Sequence, residues 1–164
     1  MRIVLWVQDN PHREFAMKQL PLLLLAMAFA VGAEGPNEDA AAKDLKRMEG
    51  DWIVVSMEVD GMKIPDEDAM AYFRSVKGDQ YTMSRYRKIA GKGTIRLDAS
   101  KKPRAIDAQP AGAAAQGKSV LGIYEFDGNK LKLCFARPGA ERPTEFVSKE
   151  GSGHNLTIWQ REKE

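Results

Sequence analysis

Few side chains in this sequence could carry out acid–base, nucleophilic or metal chemistry. Histidine occurs only at His12 and His154, and cysteine only at Cys134. Zinc sites draw several ligands from these residue types, and the His-Glu-x-x-His spacing of many zinc enzymes is absent. Ser152 lies in a Gly-Ser-Gly-His run typical of a turn, without a Gly-x-Ser-x-Gly nucleophile motif. The sequence therefore predicts no catalytic residue, metal or cofactor, and a hydrolase built on His154 is the enzymatic alternative.

The single thiol, Cys134, has two interpretations. Its neighbours Leu133 and Phe135 are apolar, which is typical of a free cysteine that packs as a small hydrophobic residue. The strand alternation instead places Cys134 on the same face as Lys130 and Lys132. That placement would favour an exposed thiol with a lowered pKa. We expect the inert, packed thiol.

Two arginines and a histidine could bind an anionic group. Arg137 and Arg142 are each followed by a proline, which stiffens the chain that carries them. With His154 they could lie together at the rim of a sheet and bind a carboxylate or an anionic headgroup. The alternative is an ordinary solvated loop, in which exposed charges contribute little.

Short strands must position these groups. Residues 119–126 and 130–136 predict a hairpin around Asp127-Gly128-Asn129, because apolar and polar residues alternate on either side of a turn sequence. A last pair is predicted over residues 144–148 and 155–161. Further strands are predicted over residues 52–59, 72–76, 80–85, 93–97 and 104–108. A short helix ending near Met48 precedes them.

About eight or nine sequential strands with few helices indicate an all-β fold. We predict an up-and-down antiparallel β-barrel with a short N-terminal helix, because closure removes the exposed edges of a meander. A two-sheet sandwich is the alternative. An eight-stranded barrel is filled by side chains or holds one small ligand. The sequence does not decide which face of the first strand points inward, since both faces carry apolar residues. Trp52 and Val54 lie on one face, and Ile53, Val55, Met57 and Val59 lie on the other.

Gly50-Asp51-Trp52, at the start of the first strand, is similar to the Gly-x-Trp opening of lipocalins. In that family the tryptophan closes one end of the barrel, and an arginine near the end of the last strand lies across it. The resemblance implies that Gly50, Trp52 and Arg161 form this closure. A guanidinium over an indole contributes about 0.5–2 kcal/mol.

A longer resemblance covers nearly all of the chain after residue 33. The chain resembles an uncharacterised domain family common in planctomycete bacteria, whose members are often exported and lipocalin-like. This resemblance implies a fold and a compartment, and no catalytic residue. The segments that carry it are residues 45–52, 120–128, 131–135, 142–146 and 151–154.

The N-terminal residues are expected to direct export. Residues 20–31 form an uncharged apolar run followed by Gly32 and Ala33, which is typical of a signal peptide that ends at residue 33. Met17-Lys18 makes a better start for such a peptide than Met1, so Met17 is the predicted start. An uncleaved anchor is the alternative. We expect residues 34–44 to be a flexible leader and residues 45–164 to be the barrel domain, in the periplasm, cell envelope or medium.

The composition limits the classes of partner that the protein is expected to bind. The chain has 25 basic and 23 acidic residues, so no basic excess indicates nucleic-acid binding. No apolar run is long enough to predict a transmembrane span after signal cleavage. We therefore expect one small apolar or amphipathic ligand in the barrel, and the alternative is an envelope protein–protein interaction module without a ligand. The predicted ligand-binding residues are Met57, Met83, Tyr124, Phe146, Arg137, Arg142 and His154.

Overall fold

A computed structural model of the chain describes residues 36–112 and 117–162. The predicted signal peptide, the start at Met17 and residues 34–35 of the predicted leader lie outside the described residues. Neither helix in the described ranges is long and apolar enough to cross a membrane.

The described residues form two helices and nine strands, and every strand pairing is antiparallel. In chain order they are α1 (Pro36–Met48), β1 (Gly50–Val59), β2 (Met62–Lys63), α2 (Asp66–Ala69), β3 (Tyr72–Lys77), β4 (Gln80–Arg85), β5 (Lys88–Asp98), β6 (Arg104–Pro110), β7 (Val120–Asp127), β8 (Lys130–Phe135) and β9 (Asn155–Arg161).

The sheet closes on itself because β1 pairs with β9 as well as with β3. The two-residue strand β2 pairs only with the end of β1, so the other eight strands form the barrel. The predicted up-and-down barrel is confirmed, and the sandwich is excluded because the strands form one continuous sheet. The β7–β8 hairpin forms as predicted, with Gly128 at a φ of 55° in its turn.

A β-bulge in β1 settles which of its residues face inward. The pairing with β9 shifts between Val54 and Ser56, which leaves Val55 as an extra residue. Trp52 and Val54 before the bulge, and Met57 after it, are therefore all buried in the barrel core. A strict alternation would have placed Met57 on the opposite face from Trp52.

Helix α1 packs against one end of the barrel. Pro36 suits the first helical position, and the acidic residues Glu38 and Asp39 in the first turn favour the helix dipole. The helix starts at Pro36 and so takes in residues 36–44 of the predicted leader. It is held there by Met48, which is fully buried in the core.

The predicted strand over residues 144–148 is wrong. Strand β8 pairs directly with β9, and β9 pairs with β1 on its other side, so no edge remains for an extra strand. The chain between β8 and β9 instead forms a long loop over residues 136–154.

Candidate ligand-binding site

One half of the barrel interior is sealed by Trp52. Its indole Nε1 donates a hydrogen bond to the carbonyl oxygen of Met48 at 2.8 Å. The guanidinium of Arg161 lies 4.3 Å from the indole ring centre, as the resemblance to lipocalins implied. Arg161 also donates to the carbonyl oxygens of Glu49 at 2.6 Å and Arg47 at 2.7 Å. These contacts satisfy carbonyl groups at the end of α1 that the helix itself leaves free.

Gly50 makes the close approach of Arg161 possible. Its φ of 109° is a conformation that other residues rarely adopt. A Cβ at this position would collide with Nη1 of Arg161. Gly50, Trp52 and Arg161 are called the seal below.

Tyr124 belongs to this sealed half. Its hydroxyl donates to Asp44 of α1 at 2.7 Å, and Arg104 donates to the same carboxylate oxygen at 2.8 Å. Burial, together with the hydrogen bond to Asp44, raises the pKa of Tyr124, so its hydroxyl keeps its proton. Although it is a predicted ligand-binding residue, Tyr124 does not line the cavity described next.

The other half of the interior holds a cavity of about 280 Å³ that is partly open to solvent. Side chains of β1, β3, β4, β6, β7, β8 and β9 line it. Two of the predicted ligand-binding residues, Met57 and Met83, line it. The lining side chains within residues 36–112 and 117–162 are mostly apolar or aromatic and include no carboxylate: Met57, Tyr72, Arg74, Tyr81, Met83, Ala108, Val120, Phe135, Ala136, Asn155, Thr157 and Trp159.

Of the described residues in this lining, Arg74 alone has a charged side chain. Only 4% of it is exposed, and its guanidinium carbon lies 4.8 Å from the ring centre of Tyr81. Within residues 36–112 and 117–162 it forms no hydrogen bond or ion pair, and its buried Nε has no partner. Burial lowers the pKa of Arg74 to about 10, which still leaves the guanidinium charged at neutral pH.

A second unsatisfied polar atom lines the same cavity. The side-chain oxygen of Asn155, at the start of β9, is buried and has no hydrogen-bond partner among the described residues. The neighbouring hydroxyl of Thr157 is already engaged, since Trp159 Nε1 donates to it at 2.8 Å. Buried polar groups are nearly always hydrogen-bonded in folded proteins. Two unpaired polar atoms in one cavity therefore indicate that this cavity binds a polar group.

Arg142 lies on the outer wall of the barrel rather than at the cavity. It donates to the carbonyl oxygens of Ile106 at 3.1 Å and Gly122 at 2.6 Å. Its second terminal nitrogen donates to the carboxylate of Asp107 at 2.6 Å. The side chain therefore fastens the 136–154 loop to β6 and β7.

The remaining predicted ligand-binding residues also lie away from the cavity lining. Arg137 is mostly exposed, with a terminal nitrogen 3.9 Å from the carboxylate of Asp60. His154 joins the same turn, because its carbonyl oxygen accepts from the Asp60 N–H at 2.8 Å. Phe146 packs against Lys132, whose ammonium lies 5.2 Å from the ring centre. The structure thus brings Arg137 and His154 together.

Cys134 is fully buried, although it points to the outer face of β8. The 136–154 loop covers it, and its thiol lies 3.6 Å from the carbonyl oxygen of Val147. Burial raises the pKa of the thiol to about 11. This geometry fits the packed thiol and not the exposed one.

Sequence reasoning missed Arg74 and Asn155. The available signal was alternation: Arg74 shares its face of β3 with Tyr72 and Val76, and Asn155 shares its face of β9 with Trp159. An arginine among inward positions is easily taken for an outward one, because charged residues are rarely buried.

The described residues contain no group of three or more His, Cys, Asp or Glu side chains that could hold a metal ion. Comparison of the chain with protein-family models, with curated proteins and with solved structures finds no match.

Proposed function

We propose that this protein is an exported, non-enzymatic, lipocalin-like binding protein whose barrel holds one small amphipathic ligand. The observation that carries the proposal is the interior cavity of about 280 Å³, lined by apolar side chains and two unsatisfied polar groups. This volume lies just below the range typical of ligand pockets, about 300–1,000 Å³. A small ligand is therefore expected.

The contrast within the barrel supports this proposal. Protein interiors are packed as densely as organic crystals, and empty apolar space destabilises a fold. The sealed half follows that rule, with Met48 and Trp52 almost completely buried. The other half keeps its space although Ala108 and Ala136, which line it, could be larger residues. Retained space of this kind is expected where a ligand completes the packing.

Export and family membership rest on the sequence. The apolar run of residues 20–31 supports a signal peptide, and the motif segments support kinship with the exported planctomycete domain family. The absence of enzymatic activity is proposed from the shortage of nucleophile and metal motifs. These proposals place the binding function in the periplasm, cell envelope or medium.

Native mass spectrometry of the protein purified from its own cells tests the binding function. We expect a mass increment of one small molecule, released by organic extraction. Uncharged octanamide serves as a defined probe in isothermal titration calorimetry, and it should bind the emptied protein with one-to-one stoichiometry.

Filling the cavity provides the matched control. Ala108→Phe should abolish octanamide binding because Ala108 lines the cavity, whereas Ala90→Phe, at an exposed position of β5, should leave binding unchanged. Val120→Trp is a second filling variant if Ala108→Phe does not fold. A folded wild-type protein that carries no small molecule and binds no probe would overturn the proposed function.

A further inference from the structure

We propose that the ligand is a small organic acid and that Arg74 binds its carboxylate inside the barrel. This inference rests on the proposed binding function and adds the chemical class of the ligand. The observation that motivates it is a buried guanidinium without a partner, aimed into an apolar cavity.

The first step of the argument is the unmet charge. Two charged residues of the described ranges are buried, Asp44 and Arg74. Asp44 is paired with Arg104 at 2.8 Å, so its charge is compensated. Arg74 has no such group, and an isolated buried charge is strongly unfavourable unless it is paired. An anion in the cavity would supply the missing partner.

The second step is the shape of the donor. A guanidinium carries its N–H groups in a planar fork that matches the two oxygens of a carboxylate. Tyr81 lies beneath the guanidinium and lines the same cavity. Burial raises the pKa of the Tyr81 hydroxyl, which therefore stays a proton donor and does not compete for Arg74 as an anion.

The third step is the rest of the lining. Beyond Arg74 the cavity presents the apolar side chains of Met57, Met83 and Val120 and the rings of Phe135 and Trp159. An inorganic anion would pair with Arg74 but leave these surfaces without contacts. A carboxylate attached to an apolar body satisfies both parts of the site. Asn155 offers a further polar contact to a ligand that carries a hydroxyl or amide group.

Isothermal titration calorimetry with two probes of equal length tests this assignment. Octanoate and octanamide have the same chain and differ in the head group, an anionic carboxylate against an uncharged amide. Because a hydrogen bond to a charged group is worth more than a neutral one, we expect octanoate to bind about 10- to 100-fold more tightly. In Arg74→Met the preference should disappear, while octanamide binding stays within about threefold of the wild type.

The matched control is Arg96→Met, the same substitution at an exposed arginine on β5. It should keep the full preference for octanoate. Arg74→Gln, with a planar neutral head, is the second variant if Arg74→Met does not fold. Titrations with and without sodium chloride distinguish a site for an organic carboxylate from a site for an inorganic anion. Chloride should weaken octanoate binding only slightly.

Each contrary result has a distinct meaning. Equal binding of octanoate and octanamide would overturn the role of Arg74 and leave the proposed binding function intact. Binding of neither probe would overturn both proposals. Saturation of the site by chloride with complete loss of octanoate binding would identify an inorganic anion as the occupant, which also overturns the inference.

Discussion

Two arginines flank Trp52 on neighbouring strands, and they differ in every contact that follows. Arg74 on β3 and Arg161 on β9 are both paired with Trp52 across the sheet. Arg161 covers the indole ring and donates to two backbone carbonyls. Arg74 lies over Tyr81 and donates to no described residue. The guanidinium of Arg161 stabilises the fold through these contacts, whereas the guanidinium of Arg74 is available to a ligand.

The same difference separates the two halves of the barrel. Around the seal, the buried polar groups of Trp52, Tyr124 and Asp44 all have partners. Around the cavity, the buried Nε of Arg74 and the buried Oδ1 of Asn155 have no partner among the residues that the structure describes. Removing a side chain from the packed half should therefore reduce stability, and removing one from the hollow half should reduce binding.

Trp52→Ala should have the largest effect on stability. Loss of a fully buried tryptophan costs about 3–5 kcal/mol, and Arg161 also loses the ring beneath it. The free energy of unfolding from urea denaturation is the measurement. Trp52→Phe, which keeps a ring but not the hydrogen bond to Met48, should cost less. A loss below about 1 kcal/mol for Trp52→Ala would show that the seal does not hold the barrel together.

The same substitution, methionine to alanine, can be made in both halves of the barrel and its effect on stability compared. Met48 is fully buried beneath the barrel, so Met48→Ala should cost about 2–5 kcal/mol. Met83 borders existing space, so Met83→Ala should cost about 1 kcal/mol because no new enclosed cavity forms around it. Urea denaturation of both variants measures the difference. Equal losses would mean that the two halves are packed alike.

The two arginines should respond oppositely to the same substitution. Arg161→Met loses two charged hydrogen bonds and a cation–π contact, so unfolding should become easier by about 2 kcal/mol. Arg74→Met loses the contact with the Tyr81 ring but also removes a buried charge that has no ion-pair partner among the described residues, so the unliganded protein should be equally stable or more stable. Thermal unfolding of both variants without ligand gives the sign. Destabilisation by Arg74→Met would contradict the view that Arg74 lacks a partner.

The thiol of Cys134 is a third buried group, and its reactivity tests whether the 136–154 loop covers it. The pKa of Cys134 is raised to about 11 by burial, against an ordinary value of about 8.5. Since only the thiolate is alkylated, iodoacetamide should label the folded protein slowly until the pH approaches 11. In urea the rate should rise from about pH 8.5. Rapid labelling of the folded protein at neutral pH would place the thiol in solvent.

Much of the barrel could be predicted from local signals. The β7–β8 hairpin follows from alternation on either side of Asp127-Gly128-Asn129, and the seal follows from Gly50 and Trp52 through the resemblance to lipocalins. Residues 144–148 have strand-like composition, but a strand also needs a free partner, which the closed sheet does not offer. Pairing of this kind depends on the whole fold rather than on the segment.

The candidate site was harder to predict than the barrel. Met57 and Met83 were predicted on apolar character and do line the cavity. Arg142 was predicted as an anion-binding residue on its charge, and the structure engages it with Ile106, Gly122 and Asp107 on the outer wall. Whether an arginine is free or occupied depends on contacts between distant segments, which alternation alone does not specify.

The bulge at Val55 divides β1 into two stretches, so that the pairing of one stretch can change without altering the pairing of the other. Because one unpaired residue separates them, Val54 faces Trp159 and Met57 faces Thr157 in separate stretches of regular pairing. Loss of the bulge, with Val55 paired as an ordinary strand residue, would turn Met57 outward and remove it from the cavity wall, while the stretch that carries Trp52 could keep its register. The barrel can thus change its specificity through one section of a strand and keep its scaffold through the other.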